Sequence, residues 1–263
     1  MVDFENKPAY GVYDLKKLME LLRGPGGCPW DREQTHESIR RNLLEEAYEA
    51  AEAIDEDDTG HLLEELGDVL MQVVFHADMA EKEGRFSLDD IADATCRKLI
   101  RRHPHVFGDV RASNGSESLV FWDEIKRGEK QQETASDAMR SVARSLPALW
   151  LAEKIQGKAA KAGFDWPDHM GAMDALRSEL RELEDAISAG DGINEEFGDL
   201  LFSAVNVARF FDIDPEESLR SASEKFISRF TKVESAARGS GKRLEDMDLD
   251  EMEGLYQKVK LEE

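Results

Sequence analysis

The sequence predicts an all-α fold, and three observations lead there. Seven Pro and four Tyr stand against an abundance of Ala, Leu, Glu, Lys and Arg, a mix that favours helices. No segment sustains the apolar/polar alternation that a half-buried strand needs. Apolar residues recur instead at three- and four-residue intervals, the spacing of one helix face.

Taken in order, the first helix covers about Asp14 to Arg23, where Leu15, Leu18, Met19 and Leu22 form a stripe that Gly24-Pro25-Gly26-Gly27 stops. A loop with Cys28-Pro29-Trp30-Asp31 follows. The second helix is expected from Gln34 to Ile54, with Ile39, Leu43, Ala47, Ala50 and Ile54 on one side, and the acidic turn Asp55 to Asp58 ends it. A third, from Gly60 to Glu83, carries Leu62, Leu66, Val69, Leu70, Val73 and Phe75 and stops at Gly84. Ser87 with Asp90 caps a fourth, Leu88 to Arg102, which ends near the turn His103-Pro104-His105. Leu119 to Lys130 reads as a short helix holding Phe121 and Trp122. Charged and polar residues then dominate, which places a linker at 127–144 between modules 1–126 and 145–263.

The second module repeats the first. Gly163-Phe164-Asp165-Trp166 echoes the Cys-Pro-Trp-Asp loop, Ser178 to Glu182 echoes Glu45 to Glu49, and Glu195-Glu196-Phe197-Gly198-Asp199 echoes Glu64-Glu65-Leu66-Gly67-Asp68. Lys225 and Arg229 mirror Lys98 and Arg102, while Tyr256 with Lys260 mirrors Trp122 with Lys126. Asp214-Pro215-Glu216-Glu217 combines an N-cap, a Pro at the first helical position and a capping-box Glu, and Phe226, Phe230 and Val233 supply the buried side of that helix.

Charge and cysteine content narrow the function. With 34 Lys and Arg against 57 Asp and Glu the net charge is −23, a field that repels nucleic acid and anionic lipid. Cys28 and Cys96 alone cannot build a disulfide framework, no stretch approaches the ~20 apolar residues of a membrane span, and the first residues lack a signal layout. A cytoplasmic protein with neither nucleic-acid nor membrane partners is expected. No phosphate-binding Gly-rich loop with Lys and Ser/Thr occurs, so an ATPase of that class is not supported.

Residues three apart share a helix face, so Glu46 and Glu49 point together, as do Glu65 and Asp68; antiparallel packing of their helices gathers all four. Glu179, Glu182, Glu196 and Asp199 repeat the quartet. A lone Glu-x-x-Glu is usually a solvated face, but a copied quartet with a Gly inside each apolar helix, Gly67 and Gly198, points to close helix approach or ligand access. Four anions in one spot call for cations, and oxygen-only ligands select hard Mg²⁺, with Mn²⁺ a possible substitute. Mg²⁺ held this way completes its shell with substrate phosphates, so the i,i+4 pairs Lys225/Arg229 and Lys98/Arg102 are expected to face phosphate oxygens. The aromatics Trp30, Trp166, Trp122 and Tyr256 can stack on a base, yet burial in a core is the commoner fate of such residues.

The ordered set Gly27-Cys28-Pro29-Trp30-Asp31, Leu44 to Glu49, Glu64 to Asp68, Arg101 to Phe107 and Gly163 to Trp166 resembles the MazG nucleoside triphosphate pyrophosphohydrolases over nearly the whole chain. The resemblance implies tandem all-α modules dimerising into helical bundles, and Mg²⁺-dependent hydrolysis of NTPs and dNTPs to the monophosphate and pyrophosphate by a homodimer. The family's metal motif maps onto Glu46, Glu49, Glu65 and Asp68, and again onto Glu179, Glu182, Glu196 and Asp199. Its triphosphate contacts map onto Lys225 and Arg229, with Tyr256 and Lys260 beside them; Lys98, Arg102, Trp122 and Lys126 are the first-module counterparts. Asn206 follows Asp199 by seven residues where the first module has Phe75, and an amide can hydrogen-bond a ligand, so the second module is expected to be the catalyst and the first regulatory or structural. Glu195, or Glu45 in the first module, is the candidate base for water attack at the α-phosphorus. A narrower dUTP, dCTP or phosphoribosyl-ATP pyrophosphohydrolase, and a non-catalytic nucleotide or metal sensor, remain as alternatives.

Overall fold

A computed structural model describes residues 3–129 and 133–261, and it resolves into two compact units, Met1–Lys126 and Arg127–Glu263. Among the described residues every regular element is helical. No helix there is long and apolar enough to cross a membrane.

Unit 1 contains α1 (Val12–Leu22), α2 (Pro29–Glu33), α3 (Arg40–Asp55), α4 (Thr59–Lys82), α5 (Leu88–Arg102), α6 (Pro104–Phe107) and all but the last turn of α7 (Gly115–Glu129). After α1, Cys28 N–H bonds back to Leu22 O at 2.8 Å. Only a glycine fits before it, because a Cβ on Gly27 would come within 2.2 Å of that same carbonyl. The expected Cys-Pro-Trp-Asp loop is instead a helical turn, for Pro29 presets the first helical φ and Asp31 faces the positive helix end. The next helix starts at Arg40 rather than Gln34: Thr35 and Ser38 exchange side-chain-to-backbone bonds at 2.9 and 3.2 Å, an alternative to helical bonding. The helix expected at Leu119 starts earlier, at Gly115, where Asn114 Oδ1 accepts from Glu117 N–H at 2.9 Å; its expected end at Lys130 lies outside the described residues. His103-Pro104-His105 opens the short helix α6 rather than a simple turn, since Pro104 again takes a first helical position.

α3 and α4 pack as a hairpin, with α1 and α5 against α4. Met19, Ile39, Val74, Phe75 and Met79 form the core, each worth about 1.5–3 kcal/mol buried. Ile54, expected on the buried stripe, is 61% exposed, and Ala53 one residue earlier takes the inward position.

Unit 2 contains α8 (Ala135–Arg140), α9 (Ala148–Lys161), α10 (His169–Ala189), α11 (Ile193–Phe210), α12 (Pro215–Gly239) and α13 (Leu249–Leu261), with one 3₁₀ turn at Leu244–Asp246. The α10–α11 hairpin packs on α9, while α12 packs on α13 and α9. The segment assigned as linker carries α8, capped reciprocally by Thr134 and Asp137, and its Ala138 is buried as α8 packs on α9. Residues 130–132 of that segment lie outside the described residues. Asp214 caps α12 through Glu217 N–H at 3.1 Å, but the capping-box return bond is missing because Glu217 turns to Arg220. Val233 is buried, whereas Phe226 and Phe230 are exposed and stack on each other with centroids 6.0 Å apart.

Candidate functional site

Each hairpin brings acidic side chains to one spot. In unit 2, Glu179 on α10 and Glu196 and Asp199 on α11 offer carboxylate oxygens that all lie within 4.8 Å of one another. In unit 1, Glu46 and Glu49 on α3 and Glu65 on α4 do the same within 4.8 Å. Spacing explains this: residues three apart lie on one face, and antiparallel packing turns that face to its neighbour. The expected fourth members stand just outside these triads. Glu182 accepts a bond from Ser178 Oγ at 3.1 Å, yet its charge acts on both Glu179 and Glu196, as Asp68 acts on Glu46.

Burial first, and mutual repulsion second, raise the carboxyls of Glu179, Glu196 and Glu46 above the usual Glu range. Such a cluster gains from a cation, and its all-oxygen donor set suits Mg²⁺ or Mn²⁺ in unit 2. In unit 1 an imidazole intrudes: His61 Nε2 lies 3.2 Å from Glu65 Oε1. The residue four before Glu196 is Gly192, so unit 2 has no such neighbour. A Cβ added to Gly67 or Gly198 would meet nothing within 4 Å, so these glycines do not serve close helix approach; the space beside the acids is open to a ligand.

The candidate bases differ in their surroundings. Glu45 is ion-paired with Arg41 at 2.8 Å, whereas Glu195 is exposed and adds its charge to that on Glu196. The basic candidates sit elsewhere in the fold. Lys225, exposed, and Arg229, half-buried, lie on α12, whose main partners are α13 and α9 rather than the acidic hairpin. Tyr256 on α13 faces Phe226 at 6.0 Å, and Lys260 is exposed in the last turn. In unit 1, Lys98 is exposed on α5, Arg102 lies 5.0 Å over the Trp122 ring, and Lys126 is half-buried on α7. Trp30 and Trp166 do not enter a core, being 57% and 48% exposed.

Trp166 instead helps wall a cavity of about 440 Å³ in unit 2, together with Ile155, Gln156, Phe164, Phe202, Asn206 and Arg209, among others. Its indole rests on Gly171 of α10, where a Cβ would approach the ring to 2.6 Å. Asn206 Oδ1 accepts from Arg209 at 2.9 Å, and Arg209 also donates to Asp165 at 2.9 Å, which holds the Asp165 carboxyl below the usual range. Sequence reasoning reached Asn206 but missed Gln156, Phe202 and Arg209. One signal was available: Arg209 follows Asp199 by ten residues, where unit 1 has Asp78 after Asp68, a reversal of charge between the two hairpins.

In unit 1 the position that matches Asn206 holds a buried phenyl ring. Phe75 is 5% exposed and the Arg23 guanidinium lies 4.7 Å over its ring. Arg23 Nε donates to Asp78 at 2.7 Å, and Lys82 reaches the same carboxylate at 2.7 Å.

Comparison with known proteins agrees with this geometry. The MazG nucleotide pyrophosphohydrolase domain matches residues 34–107 and 168–233, segments that contain both acidic hairpins. The chain is 44% identical over 247 residues to a nucleoside triphosphate pyrophosphohydrolase/pyrophosphatase MazG of Thermotoga maritima, covering 94% of each protein. It is 44% identical over 254 residues to a nucleoside triphosphate pyrophosphohydrolase of Escherichia coli strain K12, covering 95% of this chain and 97% of that one. An uncharacterized Bacillus subtilis protein, YabN, is 45% identical over 260 residues, 97% of this chain and 53% of that longer protein. With an all-helical fold, twin carboxylate hairpins and these relatives in agreement, the chain belongs to the MazG family of nucleotide pyrophosphohydrolases.

Proposed function

We propose that this protein hydrolyses NTPs and dNTPs to the nucleoside monophosphate and pyrophosphate, with Mg²⁺ as cofactor and unit 2 as the active site. The carrying observation is the carboxylate cluster of Glu179, Glu196 and Asp199, with its raised carboxyls and open flank. The names of the Thermotoga and Escherichia relatives support the reaction class. Unit 1 carries a similar triad but pairs it with His61 and places a buried Phe75 where unit 2 has Asn206, which fits a structural or regulatory role.

When bound, a hard divalent ion neutralises phosphate oxygens and acidifies a water. The chain's own residues then divide the work. Glu179, Glu182, Glu196 and Asp199 would hold the ion, and the Glu195 carboxylate accepts the proton of the water that attacks the α-phosphorus. The leaving pyrophosphate carries charge that Lys225 and Arg229 offset, which requires α12 and the hairpin to face a common substrate. That requirement agrees with dimerisation, since Leu180, Ile187, Ile193, Phe197 and Leu201 leave an apolar face of the α10–α11 hairpin exposed in one chain. The negative net charge and two free cysteines support a cytoplasmic protein without nucleic-acid partners.

Chromatography of the products from ATP and dTTP, with and without Mg²⁺, tests this reading. Monophosphate plus pyrophosphate that needs the metal supports it. Diphosphate plus phosphate, or binding without turnover, sinks it.

A further inference from the structure

Helix α9 is the common partner of the two helices that bear the proposed chemistry. It packs on α11, which carries Glu196 and Asp199, and on α12, which carries Lys225 and Arg229. Its first turn meets the first turn of α12. Trp150 Nε1 donates to both carboxylate oxygens of Asp214, at 2.9 and 3.0 Å, while the same carboxylate caps α12 through Glu217 N–H. In the other direction, Glu216 Oε1 accepts from Leu149 N–H at 3.2 Å. The N-cap of α9 is Pro147, which offers no side-chain cap, so an acid of α12 takes one of the donors that a helix start leaves open. Pro215, between the two acids, is buried.

Unit 1 contains a tie of the same kind made from other residues. Tyr13 on α1 donates its hydroxyl to Asp89 Oδ1, in the first turn of α5, at 2.7 Å. Lys98 and Arg102 follow the cap Ser87 by eleven and fifteen residues, and Lys225 and Arg229 follow the cap Asp214 by the same two intervals. In both units, then, an aromatic donor holds an acid at the start of a helix that carries a Lys/Arg pair at one fixed distance from its cap. An incidental surface bond does not explain that agreement.

Leverage gives the tie its consequence. At 1.5 Å per residue, Lys225 and Arg229 lie about 16 and 22 Å along α12 from Asp214. The backbone holds that end of α12 to α11 only through the short connection 211–214. A tilt of about 5° at Asp214 displaces Arg229 by about 2 Å, and a misplacement of about 1 Å can cost about 10²-fold in rate. A donor-only indole N–H on a carboxylate is a directional, charge-assisted bond, suited to holding such an angle.

We propose that Trp150 and Asp214 are positioning residues: by tying α12 to α9 they set where Lys225 and Arg229 stand relative to the hairpin packed on α9. The inference rests on the role given to that Lys/Arg pair, which is to offset charge on the leaving pyrophosphate. Trp150 and Asp214 act only through α12.

Trp150→Phe keeps an aromatic ring and removes the donor, whereas Asp214→Ser keeps an N-cap for α12 and withdraws the acceptor from the indole. In the intact chain with Mg²⁺, each should lower kcat/KM for ATP and dTTP about tenfold. Inhibition by methylenediphosphonate, a pyrophosphate analogue that resists hydrolysis, should weaken about tenfold, while inhibition by AMP stays within about twofold. A merely structural bond would weaken both inhibitors alike, so equal changes overturn the proposal, as does an unchanged kcat/KM. Arg229→Ala alone should also weaken methylenediphosphonate, and adding Trp150→Phe to it should then cost less than about threefold more, because the tie acts through the side chain already removed. Fully additive losses overturn the tie. If Lys225→Ala and Arg229→Ala each leave methylenediphosphonate inhibition unchanged, the phosphate role of α12 fails, a result distinct from additive losses with a working Lys/Arg pair.

Discussion

Units 1 and 2 carry the same acids at the same helical spacing and the same open flank at Gly67 and Gly198, but they differ two turns further along the hairpin. In unit 1 Phe75 is buried there under Arg23, and the Arg23–Asp78 pair is buried, with side chains 8% and 3% exposed. In unit 2 Asn206 replaces the phenyl, Arg209 takes the place of the buried Asp, and a cavity opens. The difference teaches that an acidic motif is separable from the cavity beside it. Two hairpins can keep the same carboxylates while the residues two turns further on differ, Phe75 in one and Asn206 in the other.

The largest effect expected concerns that division directly. Glu196→Gln or Asp199→Ala should lower pyrophosphate release by at least about 10²-fold with the helical circular dichroism intact, while Glu49→Gln and Glu65→Gln leave more than half. Equal losses from both sets would erase the distinction between the units.

Next comes the filling of unit 1. Phe75→Ala should destabilise that unit by about 3–5 kcal/mol in urea unfolding, without a gain of activity, since it removes a core ring from beside Met19 and Val74. Arg23→Ala should cost about 3 kcal/mol, because it strands the Asp78 carboxylate with Lys82 alone. The equivalent Asp165→Ala in unit 2 should cost less, for its partner Arg209 keeps more contact with water and a second bond to Asn206. A larger loss in unit 2 would mean that its pair is the structural one.

The smallest effects are those of pH. His36 and His76 share a 2.7 Å contact between their Nδ1 atoms in unit 1, and burial, with the His36 charge second, pulls the His76 pKa below 6.5. The folded form therefore favours neutral His76, so its contribution is whole above pH 6.5 and fades as pH falls through that value toward the lowered pKa. Hydrogen exchange should show α4 loosening on mild acidification, and His76→Phe should blunt the change. In unit 2 the sign is reversed: with Glu179 and Glu196 raised above 4.5, the metal-free cluster is relieved as pH falls, while metal affinity should strengthen as pH climbs through the raised values. Calorimetry with Mg²⁺ at several pH values checks that direction.

Much of the site was legible in one dimension. Helix α5 was bounded correctly by Ser87, Asp90 and Pro104, because capping and proline geometry are local. The acidic hairpins were legible because helical periodicity and a short acidic turn dictate which carboxylates meet. The start of α3 was missed, since Thr35 and Ser38 bond to each other's backbone instead of joining the helix. The fates of Trp166 and Phe226 were missed because exposure depends on what packs above a ring, not on its own hydrophobicity.

By itself the sequence determined the helical class and both sets of acids, which follow from spacing along one chain. Only the tertiary structure decided that Phe75 is buried while a cavity lies beside Asn206, that Asp68 and Glu182 stand outside the tight triads, and that Gln156 keeps an acceptor without a donor. The reason is physical: helix geometry is fixed by neighbours a few residues away, whereas a cavity and an unpaired atom are defined by everything that fails to reach them, and that depends on the whole fold.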